Sequence, residues 1–143
     1  MSTQLELDEL RKRLIRKNNE LKWFGSLSGV VITEIGDGCC RAYVDITEDS
    51  FGPNGQVCNG VLCTLMDDLA AMASAGTGRG SVTINGKNDY FKPITQPCRL
   101  EGYSQLEGQE GPICTYHTAV YLGEDLVASG TYTFYLKEDL THR

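Results

Sequence analysis

Histidine is scarce in this 143-residue chain: His117 and His142 are the two copies, and the six cysteines form no Cys-x-x-Cys pair. Zinc sites are built from such clusters, so we predict no metal site. A basic stripe is also missing, because 13 Lys and Arg stand against 19 Asp and Glu, giving a net charge of −6. Nucleic-acid and membrane-surface binding both need concentrated positive charge, so we expect neither partner.

Long apolar runs are absent as well. The first twenty residues are charged and lack the apolar segment of a signal peptide, so we expect a cytoplasmic protein with free thiols. The amino-acid composition is that of an ordinary globular protein, with 41% hydrophobic and 22% charged residues. This composition and length predict one domain over residues 21–143, preceded by an amphipathic N-terminal helix over residues 1–20.

The hydrophobic pattern predicts one helix, two strands, a long helix and then four strands. Thr3 and Glu6 have capping-box spacing, which indicates a first helix over 3–19. Its basic residues are expected to face solvent: Arg11, Lys12, Arg13, Arg16 and Lys17. The strand candidates are 30–35, 40–46, 81–92, 98–106, 113–122 and 126–137, with a turn over 107–112 between two of them.

The long helix is predicted over 59–75, where a continuous apolar stripe recurs at helical spacing. The four strands that follow have no helix between them, so a parallel doubly wound sheet is disfavoured. An antiparallel sheet that curls around the single long helix would bury both apolar faces. The sequence therefore predicts an α+β fold with one central helix.

Two aspartates lie in the middle of this helix. Asp67 falls nearly opposite the apolar stripe, among small residues that allow a close approach, and Asp68 falls at the edge of the stripe. Surface carboxylates are common, so the simplest interpretation is that both are solvated. The alternative is that one of them orients or deprotonates a water molecule.

The start of the long helix favours this alternative. Free N–H groups at a helix N-terminus, near Asn59, can stabilise an oxyanion. However, Asn59 and Asp67 are eight residues apart, about 12 Å along one helix, so they cannot act on one carbonyl within one chain. If both act on the same substrate, Asp67 must come from a second subunit, and the chemistry implies a dimer.

At this point the sequence resembles the hotdog-fold acyl-CoA thioesterases, in particular the PaaI-like (phenylacetate-pathway) branch. That branch reads Asn-x-x-Gly-x-x-His-Gly-Gly, followed by a helix with an acidic residue nine positions after the His. Gly55, Gly60 and Asp67 fall in the matching register, with Cys58 and Asn59 at the His-Gly positions. The strand ending in Tyr-Phe-Lys-Pro at 90–93 and the closing strand at 126–134 also match, so the resemblance covers roughly residues 20–137.

The resemblance implies a hotdog domain over 21–143, a homodimer or dimer of dimers, and hydrolysis of an acyl-CoA or similar thioester without a cofactor. Asp67 matches the catalytic acid position, and Asn59 matches the position whose N–H polarises the thioester carbonyl. Thr83 matches a position that often holds a hydroxyl near the attacking water. The substrate-binding positions implied by the motif are Asn54, Cys58 and Gly60.

The chain also departs from the motif. Cys58 replaces the His, Asn59 replaces the first Gly, and Gly52 stands where the leading Asn is expected, although Asn54 is two residues away. These changes leave open a non-catalytic protein that binds acyl thioesters. A hydratase is disfavoured because no His lies near the motif. A further alternative makes Cys58 a nucleophile with His117 as its base.

Overall fold

The computed structural model describes residues 2–20, 24 and 28–141, in which we distinguish two α-helices and six strands. In chain order they are α1 (Gln4–Glu20), β1 (Val30–Gly36), β2 (Cys39–Ile46), α2 (Asn59–Ala75), β3 (Arg79–Tyr90), β4 (Cys98–Glu110), β5 (Ile113–Leu122) and β6 (Asp125–Asp139). The predicted bounds of the long helix are confirmed at both ends.

The six strands form one antiparallel sheet in the order β1-β2-β4-β5-β6-β3. Helix α2 packs against all six strands, and its Leu65, Met66 and Leu69 are completely buried. The predicted α+β hotdog fold, with a sheet wrapped around one central helix, is therefore confirmed. Burial of the apolar stripe on α2 supplies the main driving force for this arrangement.

Helix α1 begins with the predicted capping box. The Thr3 N–H donates to Glu6 Oε2 at 2.8 Å, and the Glu6 N–H donates to Thr3 Oγ1 at 3.2 Å. At the other end of α1, the Asn19 side chain bonds both the N–H and the carbonyl of Ile32, at 2.9 Å each. These bonds satisfy backbone groups of the edge strand β1, so α1 protects that edge from pairing with another chain.

The expectation that every basic residue of α1 faces solvent is wrong for Arg11. This side chain is buried, and its Nε donates to the carbonyl of Gly76, just after the end of α2, at 2.9 Å. The guanidinium also lies 3.5 Å from Asp8 and 3.7 Å from Asp37. A cation at a helix C-terminus is favourable, so Arg11 ties α1 to the central helix.

Replacing Arg11 with Met is expected to lower the free energy of unfolding by about 2 kcal/mol, because a charge-assisted bond to a buried carbonyl is lost. Met retains much of the apolar length of the side chain, which limits any packing loss. Chemical denaturation measures the change. Arg16→Met, at an exposed position of the same helix, is the matched control and should change stability by less than about 0.5 kcal/mol. Equal losses in the two variants would contradict the role given to Arg11.

The turn predicted over 107–112 is much shorter in the structure. Strand β4 continues to Glu110, with a register shift between Leu106 and Gly108, and β5 begins at Ile113. The side chains from Glu107 to Glu110 are all exposed, so the apolar alternation that marks a strand is missing there. The backbone pairing with β5 keeps these residues extended without help from the core.

Strand β3 covers the small-residue face of α2. Ser74 is completely buried on this face, and its hydroxyl donates to Ser81 Oγ at 3.1 Å. Within the part of the chain that the structure describes, β3 pairs with β6 and with no other strand, so it is an edge strand. It exposes Val82 and Ile84, at 45% and 54% of their surface. An exposed, partly apolar edge strand is a template for pairing with another chain.

Candidate active site

The N-terminus of α2 is open on its outer side. Cys58 is the N-cap residue, with extended backbone angles and no hydrogen bond from its side chain to the helix. The Val61 N–H is bonded to the Cys58 carbonyl. The preceding N–H groups, of Asn59 and Gly60, lack an intrahelical partner by helix geometry. Helix termini of this kind carry partial positive charge and bind anions or polarised carbonyl oxygens.

A surface pocket of about 280 Å³ lies beside this terminus. Its walls come from the loop before α2, from Asn59 and from the end of β3 with the residues after it: Gln56, Asn59, Tyr90, Phe91, Lys92 and Pro93. Cys58, Asn59 and Gly60 are exposed here. The structure thus places three of the predicted site residues at one accessible helix end.

Asn54 lies on the same loop but outside this pocket. Its Oδ1 accepts the Gln56 N–H at 3.3 Å, so the exposed side chain closes its own turn. The loop is fixed further by the bond from the Val57 N–H to the Ile94 carbonyl at 2.8 Å. Asn54 is therefore not among the side chains that line the pocket beside Asn59.

Asp67 and Thr83 are brought together between α2 and β3. The Thr83 hydroxyl donates to Asp67 Oδ1 at 3.3 Å. Burial raises the pKa of the Asp67 carboxyl, while the hydrogen bond from Thr83 opposes the shift. A half-buried carboxylate with one oxygen oriented by a hydroxyl still has its second oxygen available to bind water. This pair can therefore act as a general base.

Asp68 faces a different part of the structure. Its negative charge contributes to the raised pKa of the buried Cys40 thiol on β2, whereas Asp67 accepts a hydrogen bond from Thr83 on β3. Among the described residues, Asp68 Oδ2 is buried without a hydrogen-bond partner. Burial, with a smaller contribution from the charge on Asp67, raises the pKa of Asp68 to about 6. Its ionised form is thus an electrostatic cost to the fold.

Asp68→Asn is expected to stabilise the protein at neutral pH and not in acid. The folded state holds the Asp68 proton more tightly than the unfolded chain does, so stability falls as pH rises from about 4 to about 6. Because Asp68 is partly exposed, solvent screens part of this electrostatic cost. The substitution should therefore raise the free energy of unfolding by about 1–2 kcal/mol at pH 7.5, and the gain should vanish near pH 3.5. Denaturant unfolding of both proteins across this pH range tests the prediction. A destabilisation of the same size at both ends would contradict it.

His117 does not support a Cys58–His117 pair within one chain. On β5 its neighbours Tyr116 and Thr118 are buried against the core, and His117 itself is exposed, so it lies on the outer face of the sheet. Its Nδ1 is 4.0 Å from Glu107 on β4. Helix α2 lies on the inner face, so the sheet separates His117 from the start of that helix.

The described ranges contain no group of three or more His, Cys, Asp or Glu side chains arranged to hold a metal ion. Neither of the helices that can be described has the length and apolarity needed to cross a bilayer.

Comparisons with known proteins agree with the observed fold. The family model described as "Thioesterase superfamily" matches residues 54–129, more than half of the chain. The Mycobacterium tuberculosis protein named "Putative esterase Rv1847" is 31% identical over 78 residues, which cover 50% of this chain. The chain spans 56% of the length of that relative.

Two solved structures illustrate the shared fold. The Escherichia coli PaaI protein, from the phenylacetic acid degradation operon, superposes with a TM-score of 0.84 at 16% identity, covering 96% of this chain and 98% of its own. The protein smu.793 of Streptococcus mutans, solved bound to acetyl-CoA, superposes with a TM-score of 0.76 at 18% identity, covering 84% and 95%. The matched region contains the open start of α2 and the Asp67–Thr83 pair, and the chain belongs to the thioesterase superfamily.

Proposed function

We propose that this protein hydrolyses an acyl-CoA or related thioester to a free acid and a thiol. The observation that carries this proposal is the arrangement along α2. The helix begins at Asn59, whose N–H has no partner within the helix, and it carries on the same face the Asp67 carboxylate, hydrogen-bonded by Thr83. Membership of the thioesterase superfamily supports the same reaction.

In the proposed mechanism, the Asn59 N–H binds the thioester carbonyl oxygen and stabilises the negative charge that develops as a nucleophile attacks. Asp67 accepts a proton from the attacking water, and Thr83 holds the carboxylate in position. The tetrahedral intermediate then breaks its C–S bond and expels the thiolate, which takes up the proton that Asp67 accepted, so that the carboxylate is regenerated. Cys58 and Gly60 lie beside the bound carbonyl. We also propose that Asn54 contacts the substrate bound at the site of a second chain.

Both groups reach one substrate when two copies of the chain combine. Within one chain, Asn59 and Asp67 are separated by about 12 Å along the helix axis. The long, exposed edge of β3, with Val82 and Ile84, offers a surface for antiparallel pairing of two copies, and Thr83 lies on the same strand. We propose a homodimer, or a dimer of dimers, in which each site takes Asn59 from one protomer and Asp67 from the other.

The substrate proposed is an acyl-CoA, because a protein of the same fold was solved with acetyl-CoA. A second candidate function is binding of an acyl thioester without hydrolysis. The exposed Cys58 favours this alternative, since it occupies the motif position where the related enzymes have His.

Thiol release measured over a panel of short, aromatic and long-chain acyl-CoA substrates distinguishes the two candidates. Hydrolysis that depends on Asp67 supports the enzyme. Saturable binding of the same compounds, with no hydrolysis of any of them, supports the binding protein.

A further inference from the structure

Four polar side chains that the proposed mechanism does not use lie between α2 and the strands β3 and β6. We call Cys63, Asn88, Tyr90 and Tyr132 the polar cluster. The Tyr132 hydroxyl donates to Asn88 Oδ1 at 2.5 Å, and Asn88 Nδ2 donates to Cys63 Sγ at 3.5 Å. Cys63 Sγ also lies 3.9 Å from the Tyr132 hydroxyl. Burial raises the pKa of the Tyr90 hydroxyl, and hydrogen bonding by the Asn88 side chain opposes this rise.

Two glycines provide the space for this cluster. A Cβ atom at Gly130 would collide with Asn88 Oδ1 and would lie 2.8 Å from Tyr132 Cε2. A Cβ atom at Gly86 would lie 2.9 Å from Tyr132 Cε1. The strands therefore leave room for the Tyr132 ring and the Asn88 amide on the inner face of the sheet. Because Tyr132 is only 3% exposed, its hydroxyl depends on Asn88 as its hydrogen-bond acceptor.

The cluster lies next to the proposed carbonyl-binding position. Asn59 and Cys63 are four residues apart on one face of α2, which corresponds to about 6 Å along the axis. Tyr90, 40% exposed, lines the same pocket as Asn59. An acyl group whose carbonyl oxygen binds at Asn59 would thus meet the cluster within two or three bonds of its carbonyl carbon.

The chemistry of the cluster favours a polar acyl group. The Tyr132 hydroxyl fixes the Asn88 amide with its nitrogen towards Cys63. The Tyr90 hydroxyl proton and the Cys63 thiol proton remain able to donate to a ligand. A plain alkyl chain would cover these donors without replacing the hydrogen bonds they make to water, which is unfavourable.

We propose that the polar cluster selects short acyl thioesters that carry a hydroxyl or oxo oxygen at the third carbon over unsubstituted acyl groups of the same length. Tyr90 donates to that oxygen, and Asn88 and Tyr132 act as positioning residues. This inference rests on the proposed thioesterase function, since it assumes that the acyl carbonyl binds at Asn59.

The test uses two CoA ketones in which a methylene separates the sulfur from the carbonyl, so that neither compound can be hydrolysed. They are S-(2-oxopentyl)-CoA and S-(4-hydroxy-2-oxopentyl)-CoA, the counterparts of butyryl-CoA and 3-hydroxybutyryl-CoA. Calorimetry on the full chain measures both dissociation constants. The natural protein should bind the hydroxylated compound about tenfold more tightly, as expected for one added hydrogen bond.

Asn88→Leu and Tyr132→Phe should each reduce this preference to less than about twofold, while binding of the unsubstituted ketone changes little. Tyr135→Phe, which removes an exposed hydroxyl from the same strand, is the matched control and should leave the preference intact. Because Asn88→Leu could fold poorly, Tyr132→Phe serves as the second variant. Thermal unfolding verifies that both variants are folded.

The outcomes separate this inference from the proposed function. Equal binding of the two ketones by the natural protein would overturn the inference alone. A preference that survives both substitutions would show that the cluster is purely structural, and would also overturn it. If neither ketone binds at millimolar concentration, the proposed thioester site fails and the inference fails with it.

Discussion

Asp67→Asn should reduce kcat for thioester hydrolysis by at least about 100-fold, the lower end of what general-base catalysis contributes. Asn has nearly the same shape and still accepts the hydrogen bond from Thr83 through its amide oxygen, but it cannot take a proton from water. Because substrate binding does not require that proton transfer, KM should change much less than kcat. Steady-state thiol release over a range of substrate concentrations separates the two parameters.

The adjacent residue provides a matched control. Asp68→Asn makes the same chemical change one position along the helix, on a carboxyl whose Oδ2 is buried without a hydrogen-bond partner among the described residues. It should retain kcat within about threefold while changing stability with pH as described above. If Asp68→Asn abolished hydrolysis and Asp67→Asn did not, the assignment of the base would be wrong. If neither variant changed the rate, no carboxylate of α2 would take part in the reaction.

The fold could be predicted from the sequence because its strongest signals are long and periodic. The apolar stripe of α2 and the uninterrupted run of strands after it leave few ways to bury both faces. The end of β4 could not be predicted in this way. Residues 107–110 are exposed, and only their backbone pairing with β5 holds them in the strand. Pairing with a distant segment leaves no trace in a local pattern of side chains.

The candidate site shows a similar division. Asp67, Asn59 and Thr83 could be singled out because motif spacing relates them, and the structure brings Asp67 and Thr83 within hydrogen-bond distance. The role of Arg11 could not be predicted, because its carbonyl partner at Gly76 is 65 positions away in the sequence. The polar cluster could not be predicted for the same reason. The sequence shows Cys63 on the Asp67 side of the helix, but Tyr132 reaches Asn88 only through the pairing of β6 with β3.

The participation of two protomers can be tested by complementation between two inactive variants. Asn59→Pro is the partner for Asp67→Asn, because proline lacks the N–H but is well tolerated at the first position of a helix. The preceding Cys58, with φ −62° and ψ 130°, already has the backbone conformation that proline requires of its neighbour. Asn59→Pro alone should lower kcat by about 100-fold or more, the usual effect of losing one oxyanion donor. Asn59→Ala keeps the backbone N–H, so its kcat should fall far less than that of Asn59→Pro.

Co-expression of the two variants with different affinity tags, followed by purification on both tags, isolates the mixed dimer. In that dimer one site combines an intact Asn59 N–H with an intact Asp67, and the other site carries both defects, because the two positions of each site come from different chains. Activity should therefore rise from about 1% to about half of the natural value per dimer. If Asn59 and Asp67 acted within one chain, every site in the mixed dimer would carry one defect and the activity would stay at the level of the parent variants. The recovery thus measures directly whether the carboxylate and the carbonyl-binding amide belong to different protomers.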